Sequence, residues 1–166
     1  MLFNLYIDDM DAVFDVTCNP VEIQNTCLNH FLYADDLVLL FHTKEGLQNC
    51  LDRVHKWADS KRLTISIAKS KSMVFNLSGR LEKHKFMING EALENVNTFC
   101  YLGFEVKSSG TVNHAMNVLN DKGKRALRPL MTAIDRLPVA TSIKLFHTYI
   151  APILLYNVEN WFKLSE

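Results

Sequence analysis

Apolar and polar positions change rhythm along the 166 residues, and each change marks an element. Two apolar runs, Phe31-Leu32-Tyr33-Ala34 and Leu37-Val38-Leu39-Leu40-Phe41, flank Asp35-Asp36 with no Lys, Arg or His among them. Each run suits a short buried strand. Two unpaired carboxylates are costly to bury, so the pair is predicted at the tight turn of a β-hairpin or facing a cation. From Lys44 the period lengthens: Leu47, Leu51, Val54 and Ala58 share one helical face, with Trp57 at its edge. Thr43 is placed to cap that helix and Glu45 to sit near its positive end. The helix should reach about Ser60 and pack its apolar face on a sheet. Leu63, Ile65 and Ile67 then alternate with Thr64, Ser66 and Ala68, which predicts a half-buried strand, and Met73-Val74-Phe75 continues as an extended piece.

Further on, Asn89-Gly90 between two apolar segments is the strongest short hairpin signal in the chain. Phe99 to Val106 reads as one strand in which Gly103 allows a close backbone approach. Ser108-Ser109-Gly110 is the best boundary. Beyond it Val112, Ala115, Met116, Leu119, Ala126, Leu127 and Leu130 follow a helical period until Leu137-Pro138. Ser142 to Ile150 predicts another helix, with Ile143, Phe146 and Ile150 on its buried side, ending before Pro152. At the other end, Leu2, Phe3, Leu5 and Tyr6 with Met10 fit one helical face, followed by an acidic cluster suited to an exposed turn. Asn19-Pro20 marks a loop, and Val21 to Cys27 leads into the first strand of the hairpin.

Composition adds bounds. An apolar fraction of 48% is ample for a packed core, and no apolar run approaches the ~20 residues that span a bilayer. Met1 to Asn4 lacks a basic leader, so the expected location is intracellular, cytoplasmic or nuclear. Cys18, Cys27, Cys50 and Cys100 have no zinc-ligand or disulfide spacing and read as buried reduced thiols. His30, His42, His55, His84, His114 and His147 are equally dispersed and read as structural or surface residues. The formal charge of zero conceals a segregation. Residues 1 to 43 carry Asp8, Asp9, Asp11, Asp15, Glu22, Asp35 and Asp36 with no Lys or Arg, and residues 44 to 86 are predominantly basic. An acidic segment followed by a basic one fits a site that holds cations and phosphates together. Two adjacent carboxylates on a rigid turn form a hard oxygen site of the kind that suits Mg²⁺. Lys122, Lys124, Arg125 and Arg128 cluster on the predicted helix after the boundary, a basic stripe able to track a nucleic-acid backbone.

Tyr33-Ala34-Asp35-Asp36 with its apolar continuation resembles the Y-A-D-D box of reverse transcriptases of the non-LTR, LINE-like retrotransposons. Leu2 to Met10 resembles the stretch that follows motif B of that family. Leu63 to Phe75 resembles motif D, with Lys69 on its first lysine, Ser66 for the usual Asn and Ser70 for the usual Thr. Tyr101-Leu102-Gly103 resembles the primer-grip motif E, and Pro152 to Trp161 the thumb pattern P-x-L-x-Y-G-x-E-x-W with Asn157 in place of Gly. Tyr6-Ile7-Asp8-Asp9 also fits Y-x-D-D, but Met10 to Asp15 is broken twice by acids where a second apolar strand belongs.

The resemblance implies an α+β fold: a partial right-hand polymerase palm over residues 1–107, an antiparallel sheet with a packed helix, followed by an α-helical thumb over 111–166. It implies Asp35 as principal and Asp36 as secondary ligand of Mg²⁺, with Mn²⁺ as a substitute. It places Lys69 on the leaving pyrophosphate, Tyr33, Ala34, Tyr101, Leu102 and Gly103 at the substrate and primer, and RNA template, DNA primer and dNTP as partners of the intact enzyme. Motif A, motif B and the fingers precede these boxes in the family. The 166 residues by themselves are therefore expected to hold metal weakly, to expose an apolar palm face and to lack polymerase activity. The other function class is a non-catalytic nucleic-acid-binding or protein-interaction remnant of a truncated element.

Overall fold

The computed structural model describes residues 2–14, 21–23, 25–76, 84–134 and 137–158. The Asn19-Pro20 loop, Cys18 and the Glu159 to Trp161 end of the tail pattern lie outside the described residues. The fold is α+β, and it divides into two compact units, Met1–Ser72 with Lys83–Glu94 and Met73–Glu82 with Asn95–Glu166.

The first unit opens with α1 (Leu2–Tyr6) and a 3₁₀ helix (Asp8–Val13). Of the predicted apolar stripe Met10 packs, whereas Leu2, Phe3, Leu5 and Tyr6 are exposed; Ile7 and Phe14 are buried with Met10. Three residues per turn bring positions three apart into line, so the 3₁₀ segment turns Ile7 and Met10 inward together. The expected acidic turn is this same 3₁₀ helix. Next come two antiparallel hairpins, β1 (Val21–Ile23) with β2 (Thr26–Leu28), and β3 (His30–Tyr33) with β4 (Asp36–Leu39).

Helix α2 (Lys44–Ser60) has the predicted limits. Thr43 Oγ1 accepts from the Gly46 amide at 3.1 Å, satisfying one of the unpaired amides of the first turn. At the other end Arg62 adopts φ +55, Leu63 N donates to Ala58 O at 2.8 Å and Arg62 N to Asp59 O at 3.0 Å. That is a Schellman closure with Arg in the place usually held by Gly. The helix carries two cores: Cys50 and Val54 pack with Met10 and Phe14, and Leu51 with Phe86, Ile88 and Leu93. Each such side chain contributes about 1.5–3 kcal/mol on full burial.

Leu63 to Ala68 keeps the predicted alternation, with Leu63, Ile65 and Ile67 half-buried, yet it forms no strand among the described residues. Alternation needs only extended backbone, whereas a ladder needs a partner. Likewise Met73 to Phe75 is irregular, and the strand residues are β5 (Lys71–Ser72) just before it. The predicted Asn-Gly hairpin is present as β6 (Met87–Ile88) and β7 (Glu91–Ala92), with Asn89 at φ +51 and Gly90 at φ +77. It is tied to α2 by the Gln48 amide, which accepts from Met87 N and donates to Met87 O, both at 2.9 Å. Among the described residues the strands pair as separate two-stranded ladders rather than as one antiparallel sheet.

A two-residue strand β8 (Glu94–Asn95) precedes the hairpin of the second unit, β9 (Thr98–Tyr101) with β10 (Phe104–Lys107). The single strand predicted over Phe99 to Val106 is thus two, reversed at Leu102 (φ +47) and Gly103 (φ +80). Both turn residues have positive φ, the geometry whose twist suits a two-residue hairpin. Helix α3 (Asn113–Ile134) buries Ala115, Leu119 and Gly123 and tolerates Pro129 in its interior. His114 Nε2 meets Glu105 Oε2 at 2.9 Å, which ties α3 to β10.

Helix α4 (Val139–Leu145), a π turn (Phe146–Ile150) and α5 (Ala151–Leu154) run on from Pro138. The helical stretch therefore begins earlier than predicted and does not stop before Pro152. The widened turn restarts the helix so that Pro152 falls in the first turn of α5, where its missing N–H costs little. Of the three residues expected inside, Ile150 is buried, whereas Ile143 and Phe146 are exposed. Two thiol expectations are also corrected: Cys50 is buried, but Cys27 and Cys100 are exposed, because a two-stranded ladder leaves a face uncovered.

Candidate functional site

The register of the β3–β4 hairpin pairs Tyr33 with Asp36 and Leu32 with Leu37, which leaves Ala34 and Asp35 as a two-residue turn. Ala34 has φ +54 and Asp35 is not in the positive-φ region, the sign pattern of a type II′ turn. Asp35 sits on the turn and Asp36 opens β4, and both are exposed. Among the described residues neither carboxylate has a hydrogen-bond or ion-pair partner. Leu37 and Leu39 hold the base of β4 in the α2 core, while Phe31, Leu32 and Tyr33 on the opposite strand face outward. The result is a rigidly anchored hairpin that presents two adjacent anionic groups to solvent.

Tyr6-Ile7-Asp8-Asp9 has a different geometry. It spans the end of α1 and the 3₁₀ helix, with no hairpin. Asp9 is committed: Lys61 Nζ lies 2.7 Å from its Oδ2, and Trp57 Nε1 donates to its Oδ1 at 3.3 Å. The Lys61 hydrogen bond holds the Asp9 carboxyl below the usual carboxylate range against the opposing effect of desolvation, with smaller help from Trp57. Tyr6 donates its hydroxyl to the Lys61 carbonyl, and the Lys61 ammonium lies 5.7 Å from the Tyr6 ring centroid. This lock between the 3₁₀ helix and α2 was not foreseen from the sequence.

Lys69 is exposed on the turn after Ile67. That turn is closed on Ser66, whose carbonyl accepts from Ser70 N at 3.0 Å and Ser70 Oγ at 2.9 Å. Among the described residues Lys69 makes no ion pair, whereas the neighbouring Lys71 is paired with Glu94 at 2.6 Å. Ile65 and Ile67 pack into the same α2 core as Leu39 of β4, so the turns bearing Lys69 and Asp35 are anchored on common ground. No group of three or more His, Cys, Asp or Glu side chains suited to a metal occurs among the described residues. The two aspartates match a hard divalent cation in donor chemistry, as a partial set.

The remaining sequence-predicted residues lie in the second unit. Tyr101 ends β9, and Leu102 and Gly103 form the hairpin turn. Tyr156 donates its hydroxyl to the Leu102 carbonyl, and a Cβ on Gly103 would lie 3.4 Å from that hydroxyl oxygen. The following residue, Asn157, takes φ +54, the conformation that the Gly of the resembled pattern would adopt with least strain. The only sequence signal for this contact was the place of Tyr156 in that pattern. On α3, Lys124, Arg125 and Arg128 are exposed opposite the buried Ala115, Leu119 and Gly123, and Lys122 is half-buried at the edge of the stripe. Lys124 pairs loosely with Asp121 at 3.6 Å, and Arg125 Nε donates to the Asp121 carbonyl.

Residues 1–106, well over half the chain, match the reverse transcriptase (RNA-dependent DNA polymerase) family, and the chain belongs to that family. Among curated relatives it is 23% identical over 168 residues to the RNA-directed DNA polymerase from mobile element jockey of Drosophila melanogaster, a match covering 95% of this chain and 18% of that protein. It is 30% identical over 108 residues to the retrovirus-related Pol polyprotein from type-1 retrotransposable element R2 of Nasonia vitripennis, covering 60% of this chain and 10% of that protein. These likenesses support the LINE-like, non-LTR assignment that the boxes suggested. The chain spans under a fifth of either relative. No solved structure matches it significantly. Among the described residues no helix is long and apolar enough to cross a membrane.

Proposed function

We propose that this chain supplies the later palm and the thumb of an RNA-directed DNA polymerase of a non-LTR retrotransposon, with Asp35 and Asp36 as its metal-holding carboxylates. The observation that carries this reading is the β3–β4 hairpin: two exposed carboxylates on one anchored turn, without an ion-pair or hydrogen-bond partner among the described residues, inside the family match. Asp35 is the principal ligand of Mg²⁺ or Mn²⁺ and Asp36 the secondary one. Such a cation, when bound, would activate the attacking 3′-oxygen and stabilise the charge on the leaving pyrophosphate.

The chain's own residues supply the rest. The primer 3′-oxygen forms its bond to the α-phosphorus as the bond to pyrophosphate breaks, and the Lys69 ammonium offers the leaving group charge or a proton. Tyr33 and Ala34 border the reacting end, Tyr101, Leu102 and Gly103 hold the primer terminus, and Lys122, Lys124, Arg125 and Arg128 follow the phosphates of the template–primer duplex. Two carboxylates make only part of a polymerase donor set, so the 166 residues by themselves hold metal weakly and do not polymerise. The exposed basic face of α3 favours one activity that needs no chemistry, namely nucleic-acid binding by the chain as it stands.

Titration with Mn²⁺ while amide resonances are observed tests the site. Broadening should centre on residues 33–37 and vanish in Asp35→Asn; broadening unaffected by that substitution overturns the metal assignment. Template-directed dNTP incorporation is expected to be absent, and incorporation that disappears in Asp35→Asn would overturn the claim of inactivity.

A further inference from the structure

The β9–β10 turn is not held by its own sequence. Leu102 is a poor choice for φ +47, since a Cβ in the left-handed region crowds the following carbonyl. The turn is held from outside: the Tyr156 hydroxyl donates to the Leu102 carbonyl, and the Tyr156 ring packs beside Gly103, with Cε1 3.5 Å and Cζ 3.6 Å from where a Cβ would stand, ordinary van der Waals contact. Tyr156 is itself aimed by the end of α5 and by Asn157, whose φ of +54 turns the chain immediately after it. The α5 helix is seated on α3, where Gly123 is buried beneath Leu154. A continuous set of contacts therefore runs within the second unit from the helix bearing the basic stripe to the hairpin tip.

We propose that Tyr156 is a positioning residue: it fixes the tip carbonyl and the Gly103 backbone in the one arrangement that receives a recessed primer 3′ end. This rests on the assignment of Tyr101 to Gly103 as the primer-holding turn. Tyr156 does not touch the primer. It acts through the Leu102 carbonyl, while affinity for duplex as such comes from the phosphates along α3.

The test compares binding by the full 166-residue chain to an RNA–DNA duplex with a recessed DNA 3′ end and to a blunt duplex of the same length, by fluorescence anisotropy. Wild type should prefer the recessed end. Tyr156→Phe keeps the ring and removes the donor; it should lower that preference on the order of threefold to tenfold, the worth of one hydrogen bond, with blunt-duplex affinity unchanged. Gly103→Ala, which strains the turn backbone held at φ +80 beside Tyr156, should reproduce the loss. A merely structural role would weaken both duplexes together and leave their ratio intact. A preference retained in both variants overturns the positioning role alone. Absence of any preference in wild type overturns the primer-holding assignment and this inference with it. Faster amide exchange across residues 104–107 in Tyr156→Phe, with α3 unchanged, supports the role independently, and unaltered exchange there counts against it.

Discussion

Gly123 lies inside α3, and the position decides between two opposed effects of comparable size. Replacing Gly with Ala in a helix interior favours the folded state by about 1 kcal/mol. Here the new methyl would overlap Cδ2 of Leu154 and stand 3.1 Å from its Cγ. Rotation about the outer bond can move Cδ2 but leaves Cγ in place, so the Leu154 side chain must also tilt about its inner bond, or the backbone of α5 give, by a few tenths of an ångström. Inserting a methyl into filled space costs about 1–3 kcal/mol. The overlap should win, leaving Gly123→Ala less stable than wild type by about 0–2 kcal/mol. Removing the obstacle should reverse the sign: in a Leu154→Ala background the methyl enters vacated space, and Gly123→Ala should stabilise by about 1 kcal/mol. Urea unfolding of the four proteins, followed by far-ultraviolet circular dichroism, closes the double-mutant cycle through its midpoints and slopes. An equal effect of Gly123→Ala in both backgrounds would refute the reasoning.

Ala34→Gly removes a Cβ held at φ +54, relieving about 1–2 kcal/mol of crowding against about 0.5–1 kcal/mol of added unfolded-state freedom, so the urea midpoint should rise slightly; a clear fall would contradict the turn geometry. Thr43→Ala deletes the acceptor of the Gly46 amide and should cost about 1 kcal/mol in the same assay, with Thr43→Ser nearly neutral. Asp9 titrates below the ordinary value of 3.8 in the folded chain because Lys61 bonds its charged form. Its contribution is therefore present above pH 3.8 and is lost as pH falls through the lower folded value. Carboxyl-detected NMR should place the Asp9 midpoint below 3.8 and find it raised in Lys61→Met; an unmoved midpoint would mean that the ion pair does not form in solution.

How much was legible follows from whether a signal was local. The Thr43 cap, the α2 face and the Asn89-Gly90 turn are read from neighbouring residues, and the structure reproduces them. The hairpin at Asp35-Asp36 was legible as well, since two apolar runs around an acidic pair leave the chain little else to do. The reversal at Leu102-Gly103 was not. A Leu in the left-handed region carries no turn signature, and the group that holds it, Tyr156, lies 54 positions away. The same holds for the inward face of the 3₁₀ helix: Leu2 to Tyr6 has helical spacing, but the 3₁₀ pitch sets which residues turn inward. Asp9 looked like part of a second Y-x-D-D box until its partners, Trp57 on α2 and Lys61 just past its end, came into contact through the fold. Asn157 stood out as a departure from a glycine pattern, and its backbone conformation explains why Asn is an apt replacement.

The π turn at Phe146–Ile150 works as a phase setting for everything after it. In an α-helix each residue advances the azimuth by about 100°, so one residue more or fewer in that turn would rotate all later side chains by about that angle. As the chain stands, the segment begins at the exposed Phe146, and its offset brings Ile150 to 1% exposure and, four residues on, lays Leu154 over Gly123. A one-residue deletion there would leave every packing side chain chemically intact and aim each of them elsewhere. The length of this segment therefore carries information that its composition does not, and substitution scanning across it would miss the constraint that insertions and deletions reveal.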